Sequence, residues 1–305
     1  MTQNKILKSD VSASQMTFVA LIVYFALIMS IGVGRGSSFL FIHQGLDYAH
    51  PVNLITWRLI FAGIAALVYI LLKYKTKRVP NLKDYFAPAM VLALVGIIIP
   101  FYLTAFGQVH VESGIAGVLT ATMPMISAIL FAITTKTRVT SIRYLVMGFI
   151  GVTLVCFNQG LNYSYFLGII LILGSAFFYA LNSVLVGNIK SELIDKRLLA
   201  CVVLIVAALI SLLVSTLFVE QSLLVSREVM EIGAVLGVFC TTIPVVLLFY
   251  AINKYGTVKG SMGAYILPIV AVLLGVVFLN EEFQKLQGLG IIIILVSVFG
   301  YARNK

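Results

Sequence analysis

Residues 100–124 read PFYLTAFGQVHVESGIAGVLTATMP, and residues 244–268 read PVVLLFYAINKYGTVKGSMGAYILP. Each stretch is bounded by prolines 24 residues apart, and the second pair lies 144 residues beyond the first. A proline inside a helix removes one backbone hydrogen bond and frees a carbonyl that needs another partner. Four of the seven prolines therefore keep a costly register twice over. The same offset lays Arg35, Gly36, Ser37 and Ser38 over Tyr179, Ala180, Leu181 and Asn182, and Phe106 over Tyr250. The chain reads as an internal duplication, with Pro100, Pro124, Pro244 and Pro268 as its kink or hinge points.

The rest of the sequence says what is duplicated. The 305 residues are 61% hydrophobic and 10% charged, with a mean hydropathy of +1.09. A soluble domain is about half apolar and about a quarter charged. The apolar residues fall into charge-poor runs of about 20, the length of a helix that crosses the hydrocarbon of a bilayer. Polar breaks give ten such helices: 16–43, 51–73, 84–107, 112–135, 141–157, 163–188, 196–218, 229–252, 257–279 and 285–302. The fold class is an all-α polytopic membrane protein, with ten transmembrane helices as two inverted five-helix repeats. Five spans per repeat is an odd number, so the second copy enters the membrane upside down. The expected divisions are a tail over 1–15, a first repeat over 16–157 and a second over 158–305. Met16–Val33 follows two lysines but is too long for a signal peptide and lacks a small-residue cleavage site, so it reads as a retained span. Cys156, Cys201 and Cys240 all fall inside spans, which argues against a disulfide framework. No zinc-ligand spacing occurs, and neither a metal nor a cofactor is expected.

The net charge of +10 is explained by where it sits. Seventeen of the 21 Lys and Arg lie in the termini and one alternate set of loops. The opposite loops hold only Arg227 and Lys285. Cytoplasmic loops retain basic residues, so both termini face the cytoplasm in this reading. The excess is an orientation signal for the inner cell membrane, and nucleic acid is not a partner. All three histidines, His43, His50 and His110, fall at the opposite end. Two basic residues remain, Arg35 and Arg58, both inside spans. The loop between the first two helices centres near Leu46, which places both arginines at one depth, roughly 17 Å from its apex at 1.5 Å per residue.

The pattern resembles the drug/metabolite transporter superfamily, specifically its EamA-type ten-helix members. The resemblance is carried by GRGSSFLFIHQGL and PVNLITWRLIFAG in the first hairpin, by the paired proline-bounded segments, and most specifically by YILPIVAVLLGVVFLNEEF with the glycine-rich last helix GLGIIIILVSVFG. It spans essentially the whole chain. It implies a cavity lined by helices 1, 3, 4, 6, 8 and 9, and export of small metabolites, often amino acids. Two departures stand out. The resemblance implies an aromatic residue where Arg35 stands, as Tyr179 does in the second half. It also implies an acid after helix 4, where ITTKTRVTS replaces the LNEEF of the second half.

An intramembrane charge is a functional-site hypothesis by default. No Asp or Glu lies deep in a span. Arg35 either grips an anion such as a carboxylate, for which a planar fork of donors is suited, or is held by backbone carbonyls. Arg58 matches a basic position common in such transporters and reads first as structural. Gly32 and Gly36 form a G-x-x-x-G face for close helix approach. Tyr179 and Asn182 share one face of helix 6, and an amide there favours a polar cavity over lipid. Ser38, Tyr102, Thr120, Thr242 and Tyr265 complete the candidate substrate-binding set with Arg35, Arg58, Tyr179 and Asn182. Buried Thr, however, often bonds its own helix. Glu281 and Glu282 read first as a helix-end feature, with proton coupling as the alternative. His110 and Glu112 form a candidate titrating pair at the non-cytoplasmic end.

The leading reading is a secondary transporter that moves a small amphipathic or anionic metabolite by alternating access, more as exporter than importer. A nucleotide-sugar or lipid-linked substrate carrier is the alternative within that class. An intramembrane enzyme would need a catalytic constellation at membrane depth. The sequence has no H-E-x-x-H, no buried Asp pair and no G-x-S-x-G.

Overall fold

The computed structural model describes residues 18–75, 80–135, 142–157, 163–189, 194–218, 226–255 and 261–303. The tail over 1–15 and much of the lysine-rich loop sequence lie outside the described residues. Among those described, ten helical rods form and no strand does. They are α1 (Phe18–Leu46), α2 (Pro51–Lys73), α3 (Lys83–Ala93 continuing to Ile99–Gln108), α4 (Ser113–Thr120 continuing as Met123–Thr135) and α5 (Ile142–Phe157). The second half supplies α6 (Tyr163–Asn188), α7 (Lys196–Phe218), α8 (Arg227–Gly237 continuing to Ile243–Tyr255), α9 (Leu267–Leu279) and α10 (Lys285–Arg303). Six rods are long and apolar enough to cross a membrane, and four shorter apolar helices accompany them. The fully apolar outer faces, such as Leu71, Leu72, Phe149, Val277 and Phe278, are what a helix presents to lipid.

The prolines act where the sequence places them. α3 widens into a π-helical turn at Leu94–Ile98 just before Pro100, and α8 does so at Val238–Thr242 just before Pro244. The two π turns are themselves 144 residues apart. A π turn absorbs the carbonyl that a proline strands. In α8 two threonines supply the remaining donors. Thr241 Oγ1 donates to Leu236 O at 2.8 Å, and Thr242 Oγ1 lies 3.0 Å from Gly237 O and 3.1 Å from Ala62 O. The second proline pair marks a break of the same kind. α4 pauses at Ala121–Thr122, and α9 is preceded by a 3-10 turn over Ser261–Tyr265. Helix then resumes at Met123 and at Leu267, again 144 apart. The Pro124 side chain lies outside the described set.

Packing repeats the duplication. α2 packs on α7, α5 on α10 and α4 on α9, each rod meeting its own counterpart. The α3–α6 contact has its equivalent in α8–α1, and α3–α7 has its equivalent in α8–α2. Beside a small cluster of Leu27 and Ile31 of α1 with Ala251 of α8, apolar side chains fill two large cores. One gathers α2, α3, α7 and α8 around Ile55, Leu59, Ala93 and Leu204. The other gathers α4, α6, α9 and α10 around Ile115, Leu119, Ile172 and Ile294.

α1 is wedged between α8 and α9, and glycines set its distance from both. A Cβ on Gly32 would lie 2.5 Å from Ile266 Cβ, and one on Gly36 would lie 2.7 Å from Val270 Cβ. The opposite face presents Gly34, where a Cβ would lie 2.7 Å from the Pro244 ring. Small residues of this kind let backbones approach where lipid offers no hydrophobic drive to association.

One end of the bundle carries His43, His50 and His110, the other Lys73, Arg197 and Lys254. At the lysine end Asp195, just before α7, accepts from Lys73 Nζ at 2.6 Å, from the Arg197 amide at 2.9 Å and from the Tyr74 hydroxyl at 3.3 Å. Its own amide donates to Tyr85 Oη at 3.0 Å. These bonds tie α2 and α3 to α7.

Candidate substrate site

Arg35 and Tyr179, pseudo-equivalent in sequence, meet in space. The Arg35 guanidinium carbon lies 5.4 Å from the Tyr179 ring centroid. Tyr179 in turn packs edge-on against Phe101, with centroids 6.4 Å apart. The Arg58 guanidinium carbon sits 3.8 Å from the Phe101 ring centroid. Two cations from one hairpin thus meet one aromatic pair.

Their surroundings separate them. Arg58 is 4% exposed, and its Nε donates to Thr241 Oγ1 at 2.9 Å. The Thr241 proton goes to Leu236 O, so its oxygen is free to accept. Gly237 makes room for this strand of contacts, since a Cβ there would lie 2.5 Å from Arg58 O. Desolvated cation–π contact is worth about 2 kcal/mol, and a hydrogen bond from a charged group about 1.5–3 kcal/mol. Arg58 is held without an acid. Arg35 is half-buried and, among the described residues, forms no ion pair and no hydrogen bond. Its single contact of consequence is the Tyr179 face, which leaves its donors available.

Asn182, one helical turn beyond Tyr179, is half-buried against the π turn of α3. A Cβ on Gly96 would collide with the Asn182 side-chain oxygen. Glycine at that turn is what lets an amide enter between α3 and α6. Ser38 is buried on α1 one turn from Arg35. Its neighbour Ser37 bonds Gly34 O at 3.2 Å and lies 3.6 Å from the Cys240 thiol of α8. Arg35, Tyr179 and Asn182 therefore gather where α1 and α6 meet α3, with Ser38 buried one turn further along α1.

Other candidates spend their polar atoms elsewhere. The Tyr102 hydroxyl bonds Ser211 Oγ at 2.6 Å and Thr56 Oγ1 at 3.3 Å, a network that glues α2, α3 and α7. Thr120 Oγ1 donates to Ala116 O at 2.8 Å within its own helix. Thr242 serves the π turn. Tyr265 ends the 3-10 turn before α9 and packs on the second core. Phe101 and Gly96 belong to the cluster and were not singled out from sequence; Thr241, a candidate contact beside Thr242, instead accepts from Arg58. Only the chain's return in space brings Phe101 between the arginines.

At the histidine end the pairing differs from the expected one. Glu112 interacts with His43 and Glu281, whereas His110 turns toward α6, where a Cβ on Gly168 would lie 2.8 Å from His110 Cβ. Glu112 is thus within electrostatic reach of His43 and Glu281, while His110 borders α6 at its Cβ. Glu281 accepts from the amides of Ser113 at 2.6 Å and Gly114 at 2.9 Å. It caps the first turn of α4 from the far half of the chain, while Glu282 is exposed. Among the described residues no group of three or more His, Cys, Asp or Glu is placed to hold a metal ion.

The model of the EamA-like transporter family matches this chain twice, over residues 20–159 and 166–303. The chain belongs to the EamA-like transporter family. It is 27% identical over 289 residues to the "Uncharacterized inner membrane transporter YedA" of Escherichia coli (strain K12), covering 93% of this chain and 92% of that one. It is 27% identical over 261 residues to the "Uncharacterized transporter YdfC" of Bacillus subtilis (strain 168), covering 83% of this chain and 82% of that one. A solved crystal structure superimposes with a TM-score of 0.62 at 15% identity, covering 93% of this chain and 95% of its own. That last likeness concerns the fold alone. The EamA-like chain is accordingly a multi-pass helical membrane transporter. Family and relatives alike point away from an enzyme.

Proposed function

We propose that this EamA-like protein is a secondary transporter that exports a small carboxylate-bearing metabolite, such as an amino acid, across the cytoplasmic membrane. The lysine-rich end faces the cytoplasm and the histidine end faces outward, following the distribution of basic residues. The repeats 16–157 and 158–305 are inverted, and rocking of one against the other exposes the site to each side in turn. The carrying observation is the contrast between the arginines. Arg58 is buried, with its Nε bonded to Thr241 and its face on Phe101, while Arg35 lies half-buried against Tyr179 with no ion pair or hydrogen bond among the described residues. A substrate carboxylate supplies the missing anion, Tyr179 and Phe101 the apolar wall, and Asn182 and Ser38 the remaining hydrogen bonds.

The test is an uptake and counterflow screen in proteoliposomes, with matched sets of anionic, zwitterionic, neutral and cationic metabolites. The expected result is saturable exchange confined to compounds that carry a carboxylate. Exchange of cations or neutral sugars alone would overturn the reading.

A further inference from the structure

The interior of this chain is charged in one sense only. All eleven Asp and Glu fall in the tail, between rods or within the first two turns of one. Arg35 and Arg58 stand further in, and both come from the α1–α2 hairpin. At the offset of 144 the second repeat has Tyr179 and Val202 in their places, so it returns no charge of either sign. Arg58 is buried, reaches Thr241 in the middle of α8 and acts on Arg35 as a like charge. A guanidinium does not give up its proton inside a protein. Two fixed positive charges therefore meet one aromatic cluster. The groups the structure puts against them, Thr241, Phe101 and Tyr179, are neutral. They offset desolvation and cancel no charge.

That balance discriminates among carboxylates. A simple organic acid brings one negative charge or two and leaves the site nearer neutral. A zwitterionic amino acid brings the same carboxylate together with an ammonium that finds no acid. The neutral refuge for an ammonium is an aromatic face. Here Arg35 already lies over Tyr179 at 5.4 Å and Arg58 over Phe101 at 3.8 Å. At an effective dielectric of about 20, an ammonium roughly 8–12 Å from one guanidinium weakens binding by about 10- to 30-fold.

We propose that the cargo is a net anion, an organic acid or an acidic amino acid and not a neutral zwitterion, and that the membrane potential drives its export without a coupling ion. This rests on the transporter reading and narrows its cargo. The second half follows from the first. After one cycle of alternating access the protein is back where it began, so the only charge carried across is the cargo's. An inside-negative potential pushes an anion outward. At equilibrium it shifts the concentration ratio by about 50-fold per 100 mV for each net charge. The interior has no carboxylate to carry a proton or hold a sodium ion alongside, and with this cargo none is needed.

The experiment uses the full chain in proteoliposomes, with a potassium diffusion potential set by valinomycin and protein-free liposomes as the blank. The probes are pairs that share a carbon skeleton: succinate with aspartate, and 3-phenylpropionate with phenylalanine. Labelled flux and charge movement are read together. The acid of a pair is expected to half-saturate at a concentration about 10- to 30-fold below that of its amino partner. Its steady ratio across the membrane should move by about 50-fold per 100 mV per net charge. Asn182→Asp sets a carboxylate one helical turn from Tyr179 with almost no change of shape, and is expected to close or reverse the gap within a pair. If that variant does not fold, the pair ratio and the voltage response of wild type still decide. Equal or tighter use of the amino partners, no flux of either acid, or an acid ratio that ignores the potential or follows an imposed pH gradient instead overturns the proposal. Amino acids exchanged without charge movement would sink this inference and leave the carboxylate reading standing, whereas exchange of cations or neutral sugars alone would remove both.

Discussion

Replacing Arg58 by glutamine separates a structural cation from a substrate-binding one. The substitution removes a guanidinium stacked 3.8 Å from the Phe101 centroid and bonded at 2.9 Å to Thr241. Loss of the buried cation–π contact costs about 2 kcal/mol, and exchanging a charged donor for an amide costs about 1 kcal/mol more. One effect runs the other way. Arg35 and Arg58 are like charges that act on each other, and at an effective dielectric of about 20 such a repulsion is on the order of 1 kcal/mol. Removing one charge relieves it. The net loss is about 2 kcal/mol, which for a chain of this size, at about 2.1 cal/mol/K per residue, lowers Tm by roughly 2–3 °C. The single tryptophan, Trp57, is the adjacent residue, so intrinsic fluorescence in detergent follows the site itself as the protein melts. Arg58→Gln should melt lower while its ligand affinity stays within about threefold, under 0.7 kcal/mol. An unchanged Tm with abolished binding would refute this division of labour and make Arg58 the anchor for cargo.

Gly36→Ala places a Cβ 2.7 Å from Val270 Cβ and 2.8 Å from Leu267 O; overpacking of this kind costs about 1–3 kcal/mol. A thermal melt should fall accordingly, and no change would contradict the α1–α9 contact. Asp195 provides a pH test at the other end. Burial raises its carboxyl, but the Lys73 bond, the Arg197 amide and both positive charges outweigh it and hold it below the usual range. A depressed carboxyl stabilises above its unfolded pKa of about 3.9 and loses that contribution as pH falls through the folded value. Asp195→Asn should therefore melt below wild type at neutral pH, with the gap closing below about pH 4; a gap independent of pH would sink the account.

Much of the scaffold was legible because it is written in residues whose constraint is local. A proline must be accommodated in its own helix, so the offset of 144 reappears as paired π turns before Pro100 and Pro244. Glycines at four-residue spacing mark a face whatever packs there, and Gly32 and Gly36 do abut α9. Register also brought Arg35 and Arg58 together as a pair, and both meet the Phe101–Tyr179 rings. What could not be read was the partner. Tyr102 and Thr242 looked like candidate ligands until α7 and the Ala62 carbonyl came beside them. Glu281 was legible as a helix-end acid, but nothing in the sequence says that the helix is α4, 167 residues from Gly114. The same holds for His43, which comes within electrostatic reach of Glu112 from another helix. Hydrogen bonds between distant segments depend on a fraction of a turn, and hydropathy carries no such information.

The central claim is that Arg35 meets an anion that arrives as cargo. It is tested most directly by counterflow of a carboxylate substrate in proteoliposomes containing wild type, Arg35→Lys or Arg35→Ala. Two charge-assisted hydrogen bonds from a guanidinium contribute about 3 kcal/mol or more, so Arg35→Ala should weaken apparent affinity by about 100-fold. Arg35→Lys, which keeps charge but not the fork, should fall between the two, and Tm should move little because Arg35 contacts only the Tyr179 face. Unaltered affinity in Arg35→Ala, with the protein folded, would contradict the account.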